Sequence, residues 1–267
     1  MLVVILLIIA LCVIWLWYGN NSITVTAFSV EGDIPFEFEG FKIAHVSDLH
    51  NKTMGKGNKR VLEALKSTDS DIIVMTGDMI DSRRTNTSVA IEFAREAAKI
   101  APCYYVTGNH EARVKDEYEV LKEGLLAAGV KVLENENVLL EKGEGSIELV
   151  GIHDTGFDFS TGAKYLAEGA VSKEDNYKIL LMHRPEYFDE IDCVDLVFSG
   201  HAHGGQIRLP FIGGIFAPGQ GFFPKYDKGL YKNGAAVMVV SRGIGNSLFP
   251  VRVNNTPEIV TVTLKRG

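Results

Sequence analysis

An α/β fold of two packed, mixed sheets flanked by helices is predicted by three observations in this 267-residue chain. Short continuous apolar runs alternate with stretches of helical spacing, the pattern of strands covered on both faces. There are more such runs than one short sheet needs. Five of them end in a polar block, as expected where loops gather at the carboxyl ends of strands in an α/β sheet.

The elements follow in order. Met1 to Tyr18 reads MLVVILLIIALCVIWLWY and carries no charge, enough to span a hydrocarbon core. Trp15, Trp17 and Tyr18 close the run, where aromatic rings favour the membrane interface. A core helix would need a polar face, and none exists here. A cleaved signal would need a basic start and a small-x-small site, and neither is present. Residues 1–18 therefore read as an uncleaved anchor, with Gly19 to Ser22 breaking the pattern. Residues 19–40 form a tether and a first strand, Ile23 to Val30, and residues 41–267 one large domain. Glu31, Asp33, Glu37 and Glu39 precede Lys42, the first basic residue. This favours a single-pass cell-membrane protein with an extracytoplasmic domain.

Lys42 to Val46 is a strand, and helical spacing covers residues 56–68 through Val61, Leu62 and Leu65. Ile72 to Met75 is a second buried strand. Thr87 to Ile100 is a helix capped by Thr87 or Ser88, and Tyr104 to Val106 a strand. Asp116 to Ala128 is a helix closed by Gly129. The chain then becomes strand-rich at Val130–Leu133, Val138–Glu141 and Ile147–Ile152. A helix is expected over residues 161–169. Further strands are Ile179–Met182, Leu196–Phe198, Val237–Ser241 and Ile259–Leu264.

Net charge is -7, which disfavours nucleic acid as a main partner. Cys12, Cys103 and Cys193 are few, odd in number and widely spaced, so they read as buried free thiols rather than a disulfide framework.

The polar blocks carry the chemistry. Asp48 and His50, two apart on an extended segment, would point the same way and grip one ion. Asp78 follows Gly77 at a strand end, where its two oxygens could each take one cation. Asp81 reads as a supporting or capping group. In Gly108-Asn109-His110-Glu111, the Asn109 carbonyl is a neutral ligand and Gly108 allows close approach. His110 must point elsewhere and so is free to act on substrate, with Glu111 orienting its ring. His183 sits at a crevice edge, and Pro185 opens the next helix. His201 and His203 form a second pair, with Gly200, Gly204 and Gly205 giving the backbone room. His45 and His153 read as core or supporting residues. Carboxylate, amide and imidazole without thiolate suit two borderline divalent metals, and such a pair can cleave phosphoesters.

In this order, Asp-x-His, Gly-Asp-x-x-Asp, Gly-Asn-His-Glu, a lone His and Gly-His-x-His, the chain resembles the calcineurin-like metallophosphoesterase superfamily from about Phe41 onward. Ser199 to Gln206, Ser241-Arg242-Gly243-Ile244-Gly245 and the apolar N-terminus are more narrowly similar to its bacterial membrane-associated YkuE/YaeI-like branch. The resemblance implies a four-layer α-β-β-α sandwich. It implies that Asp48, His50 and His203 hold one metal, that Asn109, His183 and His201 hold the other, and that Asp78 bridges them. His110 would be the acid or transition-state stabiliser in an in-line attack by a bridging hydroxide. Manganese is the favoured ion, with zinc or iron as alternatives.

Ile207 to Tyr226 is rich in Phe, Ile, Gly and Pro and follows the last ligands directly. It reads either as an apolar loop for a lipid tail or bilayer surface, or as ordinary packing. A lipid-linked phosphodiester or pyrophosphate is accordingly the favoured substrate. The rival readings are a non-catalytic metal-binding scaffold, a nuclease of the same superfamily and a zinc peptidase. Complete ligands oppose the first, and the acidic balance and anchor oppose the second. The absence of His-Glu-x-x-His opposes the third.

Overall fold

The computed structural model describes residues 1–154, 163–172, 175–246 and 249–267. Helix α1 (Leu2–Asn21) has no buried residue and is long and apolar enough to cross a membrane. It runs past the expected break at Gly19. Asn20 Nδ2 donates to Leu16 O at 2.7 Å, Asn21 Nδ2 to Trp17 O at 2.9 Å and Ser22 Oγ to Tyr18 O at 2.7 Å. These side chains add second hydrogen bonds to carbonyls of the last turn, where Ser22 N also donates to Tyr18 O at 2.8 Å and closes the helix.

Strands β1 (Thr24–Gly32) and β2 (Lys42–Val46) lead to α2 (Lys59–Lys66), shorter than expected because residues 56–58 form a 3₁₀ turn with Gly57 in a left-handed conformation. Then come β3 (Ile72–Thr76), α3 (Thr87–Ala97), β4 (Cys103–Val106), α4 (Asn109–Ala112), α5 (Lys115–Ala127), β5 (Lys131–Val132), β6 (Glu136–Lys142) and β7 (Gly145–Gly151). The cap of α3 is Asn86, whose side chain accepts from Ser88 N at 3.2 Å, one residue earlier than expected. Helix α6 (Ala163–Ala170) matches the predicted one, except that residues 161 and 162 lie outside the described residues. The remaining elements are β8 (Tyr177–Leu181), β9 (Leu196–Ser199), four two-residue strands β10 (Arg208–Leu209), β11 (Gly213–Gly214), β12 (Phe216–Ala217) and β13 (Gly221–Phe222), then β14 (Gly229–Asn233), β15 (Ala236–Val240) and β16 (Glu258–Arg266). Pro185 does open a helix, but it is a 3₁₀ helix over Pro185–Glu190.

Two six-stranded sheets result, ordered β1-β16-β2-β3-β4-β5 and β14-β15-β9-β8-β7-β6. Strands β2 to β5 are parallel, as are β7, β8, β9 and β15. The sheets meet through Ile43, Val74, Val106 and Val262 on one side and Leu149, Ile179, Phe198 and Val239 on the other. The opposite face of the first sheet packs Val46, Ile73 and Met75 against Val61, Leu65, Phe93 and Leu121 of the helices. The second packs Val150, Leu180 and Val197 against Ala167, Ala170 and Phe188. Alternate residues of each strand thus feed different layers, giving the helix–sheet–sheet–helix order. Of the cysteines, only Cys103 is buried. Cys193 is half-buried and Cys12 exposed on α1, which corrects the expectation of three buried thiols.

The topology also fixes where α1 ends. β16 is parallel to β1 and antiparallel to β2. The start of β1, three residues beyond α1, therefore lies at the edge where β2, β3 and β4 finish.

Candidate metal centre

The five polar blocks converge at that edge. Asp48 Oδ1, His50 Nε2 and His203 Nε2 form one set of donors. His50 Nε2 lies 3.2 Å from His203 Nε2, and Asp48 Oδ1 lies 3.3 Å from His203 Nε2. Asn109 Oδ1, His183 Nε2 and His201 Nδ1 form a second, with His183 Nε2 3.1 Å from His201 Nδ1 and 3.2 Å from Asn109 Oδ1. Asp78 Oδ2 stands between them, 3.5 Å from His50 Nε2 and 3.2 Å from His183 Nε2. All seven residues are buried.

The backbone delivers these atoms differently from the expected strand alternation. Asp48, His50, Asp78, His201 and His203 have φ between 47° and 65°. Each sits in a left-handed kink rather than an extended segment, a strained conformation concentrated at the site. Close loop contacts make this workable. A Cβ at Gly108 would collide with Asp78, and one at Gly200 with Ser47 and Asp48. The Ser241–Gly245 segment braces the first loop, with Ile244 N donating to Ser47 O at 3.0 Å and Gly245 N to Asp48 O at 2.5 Å.

Glu111 does not orient His110. Its carboxylate accepts from the backbone N–H groups of Asp78 at 2.8 Å, Gly108 at 2.8 Å and Ile80 at 3.1 Å. It ties the second and third blocks together, and burial pushes its carboxyl up to about 7. The His110 ring is held instead by Ser82, whose N–H donates to Nδ1 at 3.0 Å. Asp81 Oδ1 lies 3.5 Å from the same nitrogen. Burial pulls Asp81 upward, but hydrogen bonds from Arg83 more than offset this and hold it at about 2. With Nδ1 accepting, the neutral ring carries its proton on Nε2, which lies 4.0 Å from Asp78 Oδ2.

The donor set fits cations. Asn109 Oδ1 is 2.7 Å from His201 Nδ1 and 3.2 Å from His183 Nε2, while its amide nitrogen faces the Arg113 guanidinium. Lone pairs directed at one another are unfavourable unless something positive lies between them. Without a cation the amide would turn over and donate to both rings. Three buried acceptors converging in this way, beside two carboxylates, suit a divalent ion with mixed nitrogen and oxygen ligands.

Sequence reasoning missed several neighbours. Arg83 and Arg113 join Asp78, Asn109, His110, His201, His203 and Pro218 around a cavity of about 230 Å³. A second, polar cavity of about 520 Å³ adjoins His50 and is lined by Lys52, Arg84 and Asn246 among others. Glu186 Oε1 lies 3.7 Å from His201 Nε2, and both are buried without a hydrogen-bond partner. Arg252 is fully buried, its Nη2 3.5 Å from His203 Nδ1. None of these lies in a motif with metal-ligand spacing, so only the folded chain brings them to notice. His45 lies in the core as expected, bonded to Thr76 at 2.7 Å. His153 does not, being half-buried, bonded to Thr107 at 3.0 Å and 3.7 Å from Glu134.

Residues 41–205 match the family model for calcineurin-like phosphoesterases. The chain is a calcineurin-like phosphoesterase. The metallophosphoesterase YkuE of Bacillus subtilis (strain 168) is 34% identical over 241 residues, spanning 87% of this chain and 82% of YkuE. Phosphodiesterase YaeI of Escherichia coli (strain K12) is 30% identical over 231 residues, spanning 84% and 82% of the two chains. The crystal structure of TT1561 of Thermus thermophilus shares the fold, with a TM-score of 0.50 at 13% identity over 77% of this chain and 90% of that one. This calcineurin-like phosphoesterase therefore belongs with the YkuE/YaeI-like branch and is a hydrolase of phosphoric esters.

Proposed function

We propose that the chain hydrolyses a phosphodiester or pyrophosphate bond in a lipid-linked substrate, using two divalent metal ions. The observation that carries this reading is the single oxygen Asp78 Oδ2 facing both donor sets. Asp48, His50 and His203 would hold one ion, Asn109, His183 and His201 the other, and Asp78 both. Manganese is our favoured ion, and zinc or iron would suit the same ligands. Bound there, such ions supply charge withdrawal from phosphoryl oxygen and acidify water.

The protein's own groups do the rest. His110 presents Nε2–H toward the cavity, placed to donate to a phosphoryl or leaving oxygen. Arg83 and Arg113 line the same cavity and offset the charge that builds on the phosphoryl group. Glu186 would hold the far side of His201 as carboxylates do behind ligating imidazoles. The polar cavity beside His50 has room for a second substrate group. Arg84 is its main cation, because Lys52 Nζ donates to Asn20 O at 2.8 Å and Asp81 shares the wall. This room favours a diester or pyrophosphate over a simple monoester. Helix α1 would anchor the chain in the cell membrane, with the acidic flank after it placing the domain outside the cytoplasm. Net charge of -7 disfavours nucleic acid.

The test is a panel of phosphomonoesters, soluble diesters and nucleotide-linked lipids assayed with manganese-loaded full-length protein in detergent. Faster turnover of acylated diesters than of their soluble counterparts is expected. Equal rates would remove the lipid from this reading, and no hydrolysis of any ester would remove the catalytic one. Protease digestion of the domain from outside intact cells tests the orientation.

A further inference from the structure

Five phenylalanines outside α1 are largely exposed among the described residues: Phe36, Phe211, Phe222, Phe223 and Phe249. Four of them gather on one set of connected loops. Asn20, at the end of α1, holds that set at its root. Its side chain donates to Arg252 O at 2.9 Å and accepts from Arg252 N at 2.8 Å. Val253 then pairs with Ile207 in a parallel bridge. Ile215 N donates to Ile207 O at 2.9 Å, and Phe223 N to Ile215 O at 2.9 Å. The end of α1, the 249–253 segment and the β10–β11 and β12–β13 hairpins are thus one hydrogen-bonded ladder.

This ladder is also the rim of the metal centre. Pro218, in the turn between β12 and β13, lines the catalytic cavity. Arg252 lies against His203, and the strand directions put the end of α1 at the catalytic edge of the sheet.

Among the described residues Phe222 stacks edge-on against Phe216, with ring centroids 5.4 Å apart, yet packing leaves most of this apolar surface uncovered. Phe211 is wholly exposed, Phe222 is 73% and Phe223 65% exposed, and Ile212 and Val251 are exposed as well. Phe211 and Phe223 also have φ of 66° and 54°, unfavourable for a bulky residue. Strained backbone that presents aromatic rings to water points to a surface that water does not cover in use.

We propose that the tips of these two hairpins and the Phe249–Val251 segment form a second membrane contact. It would seat the mouth of the metal centre at the headgroup layer of the same bilayer that α1 crosses. The occupant is a lipid bilayer because the patch is continuous, through Asn20, with the end of an apolar helix 20 residues long. Aromatic side chains are suited to that interfacial depth. The inference rests on α1 being an anchor, and it supplies a physical reason for a lipid-linked substrate: a phosphoester at headgroup depth would reach the metals without leaving the membrane.

The experiment uses full-length chain in phosphatidylcholine–phosphatidylglycerol vesicles, with lipids brominated either near the headgroup or near the chain end. The chain's two tryptophans, Trp15 and Trp17, lie in α1, so the parent protein reports the anchor. A chain with Trp15→Phe, Trp17→Phe and Phe211→Trp reports the hairpin. One with Trp15→Phe, Trp17→Phe and Phe36→Trp reports the far end of β1, about 30 Å away by strand rise. The proposal expects quenching of the Phe211→Trp chain, stronger with bromine near the headgroup, and none of the Phe36→Trp chain. Quenching in the parent but not in the Phe211→Trp chain overturns the second contact and leaves the anchor standing. No quenching in any chain overturns the anchor and the contact together. Equal quenching of the Phe211→Trp and Phe36→Trp chains overturns the placement of the catalytic edge. Emission of the Phe211→Trp chain that shifts with protein concentration and ignores bromine assigns the surface to a second copy of the chain instead.

Discussion

The backbone N–H of His110 donates to Asp78 Oδ1 at 2.8 Å. This bond occupies one carboxylate oxygen and leaves Oδ2 to face both donor sets. Bridging by Asp78 through Oδ2 alone would therefore differ from the sequence-based expectation of one oxygen per cation. The same residue pair also locks the loop after β3 to the start of α4, so the candidate bridging ligand and candidate acid are positioned together.

Replacing Asp78 by Asn keeps the shape and the His110 contact but removes the shared charge. The expected result is a fall in kcat of roughly 10²–10³-fold or more, the scale of losing a central electrostatic stabiliser. Circular dichroism should stay unchanged. Normal turnover with normal metal content would remove Asp78 from the bridge.

His110→Ala should slow turnover by roughly 10²–10⁴-fold, the range for an acid–base group, while metal content measured by mass spectrometry stays at the wild-type value. Parallel loss of metal and activity would make His110 a ligand instead.

Glu186→Gln tests the group behind His201. Metal affinity should weaken by roughly 10–100-fold, as for other partners of ligating histidines, with melting temperature of the chelator-treated protein nearly unchanged. Equal affinities in a competition assay with a metal indicator would leave Glu186 without this role.

His45 gives a prediction about pH. Burial lowers its folded-state pKa to about 3 from the usual 6.5. Between those values the unfolded chain binds a proton that the folded chain does not, so stability falls as pH is lowered, by at most about 1.4 kcal/mol per pH unit for one group. Denaturant unfolding in chelator should show a steeper loss for wild type than for His45→Gln from pH 6.5 downward. Identical slopes would mean that His45 titrates normally.

Much of this was legible in the sequence because the signals were of two simple kinds. Runs such as Ile72–Met75 and Ile179–Met182 are buried on both faces and announce themselves as strands. Each candidate ligand block follows such a run directly, so its position at the carboxyl edge of the sheets follows from the fold. What stayed hidden depends on loop geometry and on contacts far apart in sequence. The left-handed kinks at Asp48, His50, His201 and His203 replace the extended segment assumed for each pair. Glu111 reaches backbone N–H groups across two loops rather than its neighbour His110. Arg113 and Glu186 stand in segments whose composition is ordinary for a helix surface. The β10 to β13 hairpins have two-residue strands, too short for alternation to register, and β14, a half-exposed edge strand, has no buried run to mark it.

The number of metal ions per chain tests the central claim most directly. Full-length protein saturated with manganese, freed of excess ion by gel filtration and measured by plasma mass spectrometry, should hold about two ions per chain, as expected for a two-metal hydrolase. A ratio that never exceeds one ion per chain at saturation would contradict the shared Asp78 site and the account built on it.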